Sequence, residues 1–357
     1  MWKSNEVTRR LGLAAPIVQG PFGGGLSAVD LVAAVSESGG LGSFGAHHLD
    51  GAGIRDVAVR IRARMARAFA LNLWIPLGDS NDPQLSDAQW RAAVEPLKPY
   101  FEELRVALPE RPARFGPRYE EQIEALLEVK PPVFSFVFGV PAPAVLERCR
   151  AAGIATVGTA TTPAEAKLLA DAGVDMIVAT GFEAGGHRVS FLAEPEHCLT
   201  GTLALVPQVA DSVTVPVIAA GGIADGRGIA AALRLGASAV QIGTAFLACE
   251  ESNASPLHRA KLFSADARRT TLTRAFTGRL ARSIHNRFIE VMDGQRSAIA
   301  RYPVHQWLVG RFREAALAAG RADLVSLWAG QGAPLLRHRQ ARPLMESLVR
   351  EVDHAMD

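Results

Sequence analysis

The sequence has little of what marks disulfide-bonded, zinc-binding or membrane-spanning proteins. Only three of its 357 residues are cysteines, Cys149, Cys198 and Cys249, and no two of them form a C-x-x-C pair. This spacing argues against a disulfide scaffold or a zinc knuckle and fits a reducing compartment. No run of about 18 apolar residues is present, and the first ten residues are polar and charged, unlike a signal segment. We therefore expect a cytoplasmic protein that does not associate with membranes.

A strong excess of one charge is also absent, since the formal net charge is only +2. Proteins that bind nucleic acid over a broad surface usually carry a larger basic excess, so we expect a small-molecule partner and no nucleic acid. Hydrophobic residues make up 48% of the chain, enough for one large core. The glycines and prolines are scattered as turn punctuation and form no low-complexity run.

Short apolar runs recur along the chain, and a helix-like stretch follows most of them. Eight are present, at residues 16–19, 41–45, 69–73, 133–138, 154–158, 175–180, 217–220 and 239–242. Most are continuously apolar, as in parallel strands that are covered on both faces. Eight strands alternating with helices within about 240 residues favour an α/β fold of the (β/α)8 TIM-barrel type over an open doubly wound sheet.

Two segments interrupt the alternation of strands and helices. Residues 75–132 are longer than one crossover helix requires and contain many prolines, so we predict an insertion after the third strand. From about residue 250 the alternation stops. We predict a barrel domain over 1–250 and a mainly helical region over 251–357 that packs over or beside the barrel or forms an oligomer contact. We expect a monomer or a homodimer.

Glycine-rich loops follow the last two predicted strands. Ala220, Gly221 and Gly222 precede a helix that opens at Asp225, and Gln241-Ile242-Gly243-Thr244 ends the eighth strand. Barrel enzymes place their sites at the C-terminal ends of the strands, where glycine lets the backbone approach an anion. Amide groups at a helix N-terminus also favour phosphate. Tight turns alone would explain one such loop, but two at these positions predict a phosphate site.

The loop after the sixth strand, residues 180–188, carries the candidate catalytic histidine. Glu183 and His187 are four apart, as in a helical metal pair, but Gly185 and Gly186 between them disfavour a helix, and no third ligand is apparent. We therefore expect no metal. Because imidazole takes up and releases protons near neutrality, a histidine at the barrel mouth beside a phosphate site is a candidate catalytic base.

The loop after the first strand is also rich in glycine, and bare backbone of this kind can lie against a planar ligand. It reads Gln19-Gly20-Pro21-Phe22-Gly23-Gly24-Gly25. Asn72, at the end of the third strand, offers an amide at the same rim. His47 and His48 follow the second strand, but adjacent side chains tend to point apart, so a ligand pair is not expected. Arg279 and Arg282 are candidates either for binding an anionic substrate or for surface solvation.

With these loops located, the sequence resembles the nitronate monooxygenase family over nearly its whole length. The matching motifs are residues 19–25, 38–42, Asn72, 183–188, 220–223, 241–244 and 328–332. The resemblance implies an FMN-binding barrel without metal that oxidises alkyl nitronates, or nitroalkanes, with O₂ to a carbonyl compound and nitrite. It implies that His187 lies near the reactive edge of the flavin and binds the nitronate or removes the α-proton.

The resemblance also implies the residues that contact FMN. Pro21, Phe22, Gly23 and Asn72 would line the flavin ring, and the ribityl chain and phosphate would lie on Gly186, Gly221, Gly222, Gly243 and Thr244. We add Gln19, Thr180, Gly185, Ala220 and Gln241 to the candidate cofactor contacts. The chain departs from common family residues at Phe22, Thr180, Val189, Gln306 and Gly310, which affects the expected substrate more than the expected cofactor.

Three alternative functions remain open from the sequence. The first is an NAD(P)H-dependent flavin reductase that acts on quinones or enoyl thioesters with the same barrel. The second is a phosphosugar isomerase or lyase, which would need a lysine or carboxylate base at a strand end, and no lysine ends a predicted strand. The third is a non-catalytic protein that binds flavin or a partner.

Overall fold

A closed barrel of parallel strands forms the centre of the molecule. The computed structural model describes residues 2–78 and 83–356. Its strands in chain order are β1 (Ile17–Gln19), β2 (Gly42–Gly45), β3 (Phe69–Trp74), β4 (Val133–Val137), β5 (Ala155–Ala160), β6 (Met176–Thr180), β7 (Gly186–His187), β8 (Val217–Ala220), β9 (Ala239–Ile242), β10 (Thr270–Thr273) and β11 (Ala281–Ile284). The eight strands predicted from the sequence are all present.

The barrel has the neighbour order β1-β9-β8-β6-β5-β4-β3-β2, with every pair parallel. It closes between β1 and the start of β2, where the Leu41 amide donates to the Ile17 carbonyl and the Gln19 amide donates to the Leu41 carbonyl, both at 2.9 Å. The predicted TIM barrel is therefore confirmed.

Helices surround this barrel, and further helices lie within the insertion and the C-terminal region. They are α1 (Glu6–Leu11), α2 (Val29–Glu37), α3 (Gly51–Arg64), α4 (Asp87–Val94), α5 (Lys98–Glu103), α6 (Tyr119–Val129), α7 (Pro143–Ala151), α8 (Pro163–Asp171), α9 (Thr202–Ala210), α10 (Gly226–Arg234), α11 (Thr244–Leu247), α12 (Pro256–Leu262), α13 (Arg287–Asp293), α14 (Val304–Ala318) and α15 (Ala341–Met356). Short 3₁₀ segments lie at Glu95–Leu97, Pro195–His197, Ala265–Arg268, Arg296–Ala298, Ala322–Leu324 and Ala333–Leu335. Among the described residues, no helix is both long and apolar enough to cross a membrane.

Local sequence explains where several of these helices begin. Thr162 accepts a hydrogen bond from the Glu165 amide at 3.2 Å and is followed by Pro163, an N-cap and a first-turn proline that together begin α8. Asp225 caps α10 by accepting from the Gly228 amide at 3.2 Å. These caps place each helix directly after the loop that follows its strand.

The N-terminal helix closes the lower end of the barrel. Val7 and Leu11 of α1 are buried in the same apolar cluster as inward-facing strand residues such as Val18 and Met176. The Asn5 side chain caps this helix and donates to the Ser238 carbonyl at 2.6 Å. Because this end is filled with apolar side chains, only the opposite end, where the strands finish, is left for a ligand.

The region predicted as an insertion contains α4, α5 and α6, and its residues 79–82 lie outside the described residues. Glu103 of the insertion forms ion pairs with Arg287, at 2.8 Å, and with Arg321, at 2.6 Å. These ion pairs hold the insertion against the C-terminal region. The Tyr100 and Phe288 rings also pack with centroids 4.7 Å apart. Domain boundaries at 250 and 251 stay a prediction.

The C-terminal region contains a hairpin that the sequence analysis missed. β10 and β11 pair antiparallel, and β11 also pairs with the short strand β7 inside the loop after β6. Ala281 lies opposite His187 in this pairing and Arg282 opposite Gly186. A strand that is remote in sequence, β11, thus fixes the backbone of the candidate catalytic histidine. Farther on, α15 packs against α10 and α2 on the outside of the barrel.

Candidate active site

One cavity of about 500 Å³ lies at the C-terminal end of the barrel. Its size is typical of a site for a small molecule or cofactor. The sequence-predicted site residues that line it are Pro21, Phe22, Gly23, Asn72, Thr180, Gly185, Gly186, His187, Ala220, Gly221, Gly222, Gln241, Gly243 and Thr244. Residues spread over more than 200 positions are therefore brought together as the barrel topology requires.

Gln19 is the predicted site residue that does not line this cavity. Its side chain is fully buried, where Oε1 accepts from the Ser43 amide at 2.9 Å and Nε2 donates to the Gly20 carbonyl. The side chain therefore joins the ends of β1 and β2 beneath the loop. A contact between Gln19 and a cofactor stays a prediction.

The loops after β8 and β9 expose bare backbone to the cavity. Gly221 and Gly222 have φ values of 109° and 72°, in the region that only glycine adopts at low cost. A Cβ at position 221 would lie 2.7 Å from Thr202 Oγ1. Gly243 precedes the short helix α11, whose first amides have no acceptor within the helix. These amides and the Thr244 hydroxyl are donors suited to an anion.

Residues 328–332 form a strap across the three loops that follow β6, β8 and β9. The Gly330 amide donates to Thr244 Oγ1 and the Gln331 amide donates to the Glu183 carbonyl, both at 2.9 Å. A Cβ on Gly332 would lie 2.7 Å from the Gly222 carbonyl oxygen. Glycines in the strap therefore permit backbone-to-backbone contact with the loops, which explains a motif that the sequence marks only by resemblance.

His187 is held by a hydrogen-bond network from the C-terminal region. Its Nε2 lies 3.0 Å from Thr277 Oγ1. The Thr277 hydroxyl donates to the Arg279 carbonyl at 3.1 Å and accepts from the Arg279 amide at 3.2 Å. A hydroxyl has one proton and two lone pairs, so this arrangement makes Nε2–H the donor to Thr277. Nδ1 then carries the lone pair, and among the described residues it has no partner.

The imidazole of His187 sits among aromatic rings. Its centroid is 4.9 Å from that of Trp74, edge to face, and 5.5 Å from that of Trp328. Burial, and then the charge of Arg279, lower the pKa of His187 to about 3. The expectation of a histidine that titrates near neutrality is therefore not met, because the rings exclude the water that would solvate an imidazolium.

Arg279 and Arg282 are both buried, so surface solvation does not describe either of them. The Arg279 guanidinium carbon lies 3.9 Å from the Tyr302 ring centroid and 4.2 Å from that of Phe138. Phe138 has a left-handed φ of 69°, which costs a residue with a side chain about 1–2 kcal/mol. The rings hold a cation next to His187, where it favours an anionic ligand.

His47 and His48 both line the cavity, although adjacent side chains were expected to point apart. The His47 ring stacks on Trp74 with centroids 3.9 Å apart and planes within 4°. Burial, followed by the nearby charges of His48 and His187, lowers the pKa of His47. Among the described residues, no group of three or more His, Cys, Asp or Glu side chains is placed to hold a metal ion.

Comparison with known proteins agrees with this geometry. The nitronate monooxygenase family model matches residues 5–351. A protein of Staphylococcus aureus strain Newman named probable nitronate monooxygenase is 38% identical, with 100% of this chain and 99% of that protein covered.

The chain belongs to the nitronate monooxygenase family.

Solved structures agree with this assignment. Nitroalkane oxidase from Streptomyces ansochromogenes is 39% identical, covers 98% of both chains and superposes with a TM-score of 0.88. FabK from Thermotoga maritima is more distant, at 26% identity and a TM-score of 0.75 over 99% of this chain and 97% of that chain. The family predicted from the sequence is confirmed, and the protein is an oxidoreductase of the nitronate monooxygenase type.

Arg188 holds the backbone of the loop after β6, a role that its sequence position did not predict. It is buried, and its Nη1 donates to the carbonyls of Thr180 at 3.0 Å and Gly181 at 2.8 Å, while Nη2 donates to the Cys198 carbonyl at 2.9 Å. These bonds fix the loop that carries His187. Neighbouring Glu165 accepts from the Phe191 amide at 2.6 Å and holds the other end of the segment.

Several side chains around His187 were not among the predicted site residues. These are Trp74, Phe138, Thr277, Tyr302 and Trp328. Trp74 carried the clearest signal, because it follows Asn72 by two residues at the end of a predicted strand and therefore points to the same face. Phe138 is the last residue of the fourth predicted strand, and Trp328 begins the matching motif at residues 328–332, so both also carried a signal. Thr277 and Tyr302 lie outside any predicted strand end and had no such signal.

Proposed function

We propose that the protein binds FMN and uses it to oxidise alkyl nitronates with O₂ to a carbonyl compound and nitrite. The observation that carries this proposal is the charge of the cavity wall. The described residues that line the cavity include no aspartate or glutamate, whereas Arg311 and Arg313 line it and Arg279 lies beside His187. Such a wall favours two anions, the phosphate of the cofactor and the nitronate.

The residues present fit FMN. At Gly186 a Cβ would meet no atom within 4 Å, and at Gly243 the nearest atom would be 4.0 Å away on the Phe22 ring, so both face open space. The Glu183 carboxylate does not line the cavity, and it accepts from the Thr202 amide and hydroxyl, both at 2.9 Å. Glycine amides and Thr244 suit the phosphate.

Polar side chains at the strand ends suit the edge of a flavin ring. Asn72 Nδ2 donates to Ser135 Oγ at 3.1 Å, which leaves its carbonyl oxygen as an acceptor for a ring N–H. Thr180 and Gln241 line the same cavity. FMN, when bound, supplies the electron acceptor for the nitronate and the reductant for O₂, chemistry that amino-acid side chains do not provide.

His187 acts as the base when the substrate is a neutral nitroalkane. Its Nδ1 lone pair accepts the α-proton, and the product pair is an imidazolium beside a nitronate anion. With a preformed nitronate, the bound negative charge raises the pKa of the imidazole and lets the ring hold a proton toward the nitro oxygens. Thr277 keeps Nδ1 as the acceptor, and Arg279 stabilises the anion.

The test compares two reductants and two variants. Anaerobic FMN-loaded enzyme is mixed separately with an alkyl nitronate and with NADH while the flavin absorbance is followed, and nitrite is measured after O₂ is admitted. We expect bleaching and nitrite with the nitronate. His187→Ala should retain FMN and lose about 10²–10⁴-fold in turnover of a neutral nitroalkane, and Thr277→Val should lose less.

Two outcomes would overturn the proposal. A protein that stays colourless after FMN is added does not bind the cofactor. Rapid bleaching by NADH with no nitrite from any nitronate would instead establish the alternative, an NAD(P)H-dependent flavin reductase.

A further inference from the structure

One face of α14 lines the cavity next to the region of His187. Pro303, Gln306, Gly310 and Arg313 follow each other at intervals of three and four and all line it. Phe115 from the insertion and Trp307 join them. We call Phe115, Tyr302, Gln306, Trp307 and Gly310 the α14 wall.

This wall is continuous with the surroundings of His187. The Tyr302 ring centroid is 5.9 Å from that of Trp74, and the Trp74 centroid is 4.9 Å from that of His187. A ligand atom that contacts His187 therefore has the α14 wall within reach of a substituent. Apart from the contact between Tyr302 and Arg279, no residue of the wall takes part in the chemistry proposed above.

Gly310 lines the cavity at an exposed position of α14 and leaves open space in front of the wall. It lies inside a regular helix, where glycine is a poor helix former, and its φ is not positive. A Cβ built at this position meets no atom within 4 Å. In contrast, a Cβ on Gly185 would lie 2.6 Å from the Gly330 amide nitrogen. Packing of the protein therefore requires glycine at position 185, whereas at position 310 it leaves room for a ligand that reaches the wall from the solvent side.

The rest of the wall is aromatic. The Phe115 and Trp307 rings pack edge to face at 88°, with centroids 5.8 Å apart, and both remain half-buried on the cavity side of the insertion and α14. The Arg311 guanidinium lies 4.4 Å from the Trp307 ring centroid and covers one of its faces. Rings arranged in this way bind a further ring by edge-to-face or offset packing.

We infer that the α14 wall is a substrate subsite for an aromatic group, so that the nitronates preferred by this enzyme carry an aryl substituent on the carbon chain. The inference rests on the proposed function for the reacting end of the substrate. Gln306 and Gly310, which differ from the common family residues, then help to select the substituent that the substrate carries. The aryl group contributes binding at the wall while the nitronate lies near His187.

The test uses Gly310→Leu, which fills the space at the wall, and Ala318→Leu, which adds the same side chain at an exposed position of α14 outside the cavity. For the wild type, kcat/KM for 2-phenylethyl nitronate should exceed that for ethyl nitronate by about tenfold or more. Gly310→Leu should remove most of this preference, and Ala318→Leu should leave it unchanged. Thermal unfolding of Gly310→Leu should show no loss of stability, since leucine is the better helix former.

A binding measurement separates this inference from the proposed function. By calorimetry, FMN-loaded wild type should bind 3-phenylpropionate about tenfold or more tightly than propionate, and Gly310→Leu should lose this difference. Equal affinity for the two acids, or a difference that Gly310→Leu retains, overturns the subsite whether or not nitronates are oxidised. Oxidation of ethyl nitronate without an aryl preference would leave the proposed function intact and reject the subsite.

Discussion

The two sides of the cavity are built in different ways. The glycine side (Gly20, Gly186, Gly221, Gly222 and Gly243) presents backbone from the loops that follow the barrel strands. The aromatic side (Trp74, Tyr302, Trp307 and Trp328) presents side chains, three of them from the C-terminal region. Backbone recognition depends on the absence of Cβ atoms, so it tolerates few substitutions.

A wall of packed side chains can change in shape while the barrel stays folded. We therefore expect the glycine side to determine the cofactor and the aromatic side to determine the substrate. The strap at residues 328–332 connects the two sides, because Trp328 packs near His187 and Gly330 donates to Thr244.

The largest effect should come from a single methyl group on the glycine side. Gly186 and Gly153 have φ values of 77° and 71°, and at both positions a Cβ would meet no atom within 4 Å, but only Gly186 lines the cavity. Changing either to alanine should cost about 1 kcal/mol of unfolding free energy. Gly186→Ala alone should weaken FMN binding, by about 10–100-fold, since overpacking a site costs about 1–3 kcal/mol.

This comparison is measured by FMN titration and by urea unfolding of both variants. Equal FMN affinities for Gly186→Ala and Gly153→Ala would show that the glycine side does not contact the cofactor closely. A much larger loss of stability in Gly186→Ala would mean that the fold, and not the ligand, requires this glycine.

A smaller effect should follow from removing the charge of Arg279, which packs against aromatic rings beside His187. Arg279→Met removes the charge and keeps much of the volume, and it should raise KM for an anionic nitronate about tenfold while changing KM for a neutral nitroalkane less. It should also raise the pKa of His187, which Arg279 lowers, although burial still keeps it below the ordinary value. The exposed Arg268→Met is the matched control. Equal effects on both substrates would show that Arg279 acts by packing alone.

The smallest effect on the cavity itself concerns two histidines behind the aromatic side, whose protonation changes the stability of the fold. Burial lowers the pKa of His258 and of His305 to about 4, although each contacts a carbonyl oxygen, of Trp328 at 3.0 Å and of Ala275 at 2.7 Å. Because the pKa of each histidine is lower in the folded chain than in the unfolded chain, a falling pH protonates the unfolded chain before the folded one. The stabilisation is complete above about pH 6.5 and is lost as the pH falls toward 4.

We expect a loss on the order of 2 kcal/mol per histidine between pH 7 and pH 5. Urea unfolding followed by tryptophan fluorescence measures it, and replacing both residues with glutamine, which can keep the donor, should flatten the pH dependence. If the double variant keeps the full dependence of the wild type, other groups cause the acid sensitivity.

The sequence predicted the barrel and most of the glycine side because their signals are local. Each strand is a short apolar run, and each glycine loop directly follows one, so the barrel topology alone brings the loops to one rim. His187 was found for the same reason. The sequence analysis did not foresee that its pKa would be so low, because burial depends on rings that lie far away in the chain.

The aromatic side could not be predicted in this way. Thr277, Arg279 and Tyr302 lie in irregular segments with no periodicity that marks their direction. Their positions depend on the β10–β11 hairpin, which pairs with β7 inside the loop after β6, about 100 residues away in the chain. The same is true of Glu103, whose partners Arg287 and Arg321 are nearly 200 residues or more away.

The amino-acid sequence by itself determined the eight strands, their order around the barrel and the bare backbone at their ends, since these follow from local apolar runs and from glycine's lack of a Cβ. Only the tertiary structure decided which side chains surround His187, which of its nitrogens carries the proton and how strongly its protonation is disfavoured. Those properties arise from contacts between segments distant in sequence, whose packing no local pattern specifies.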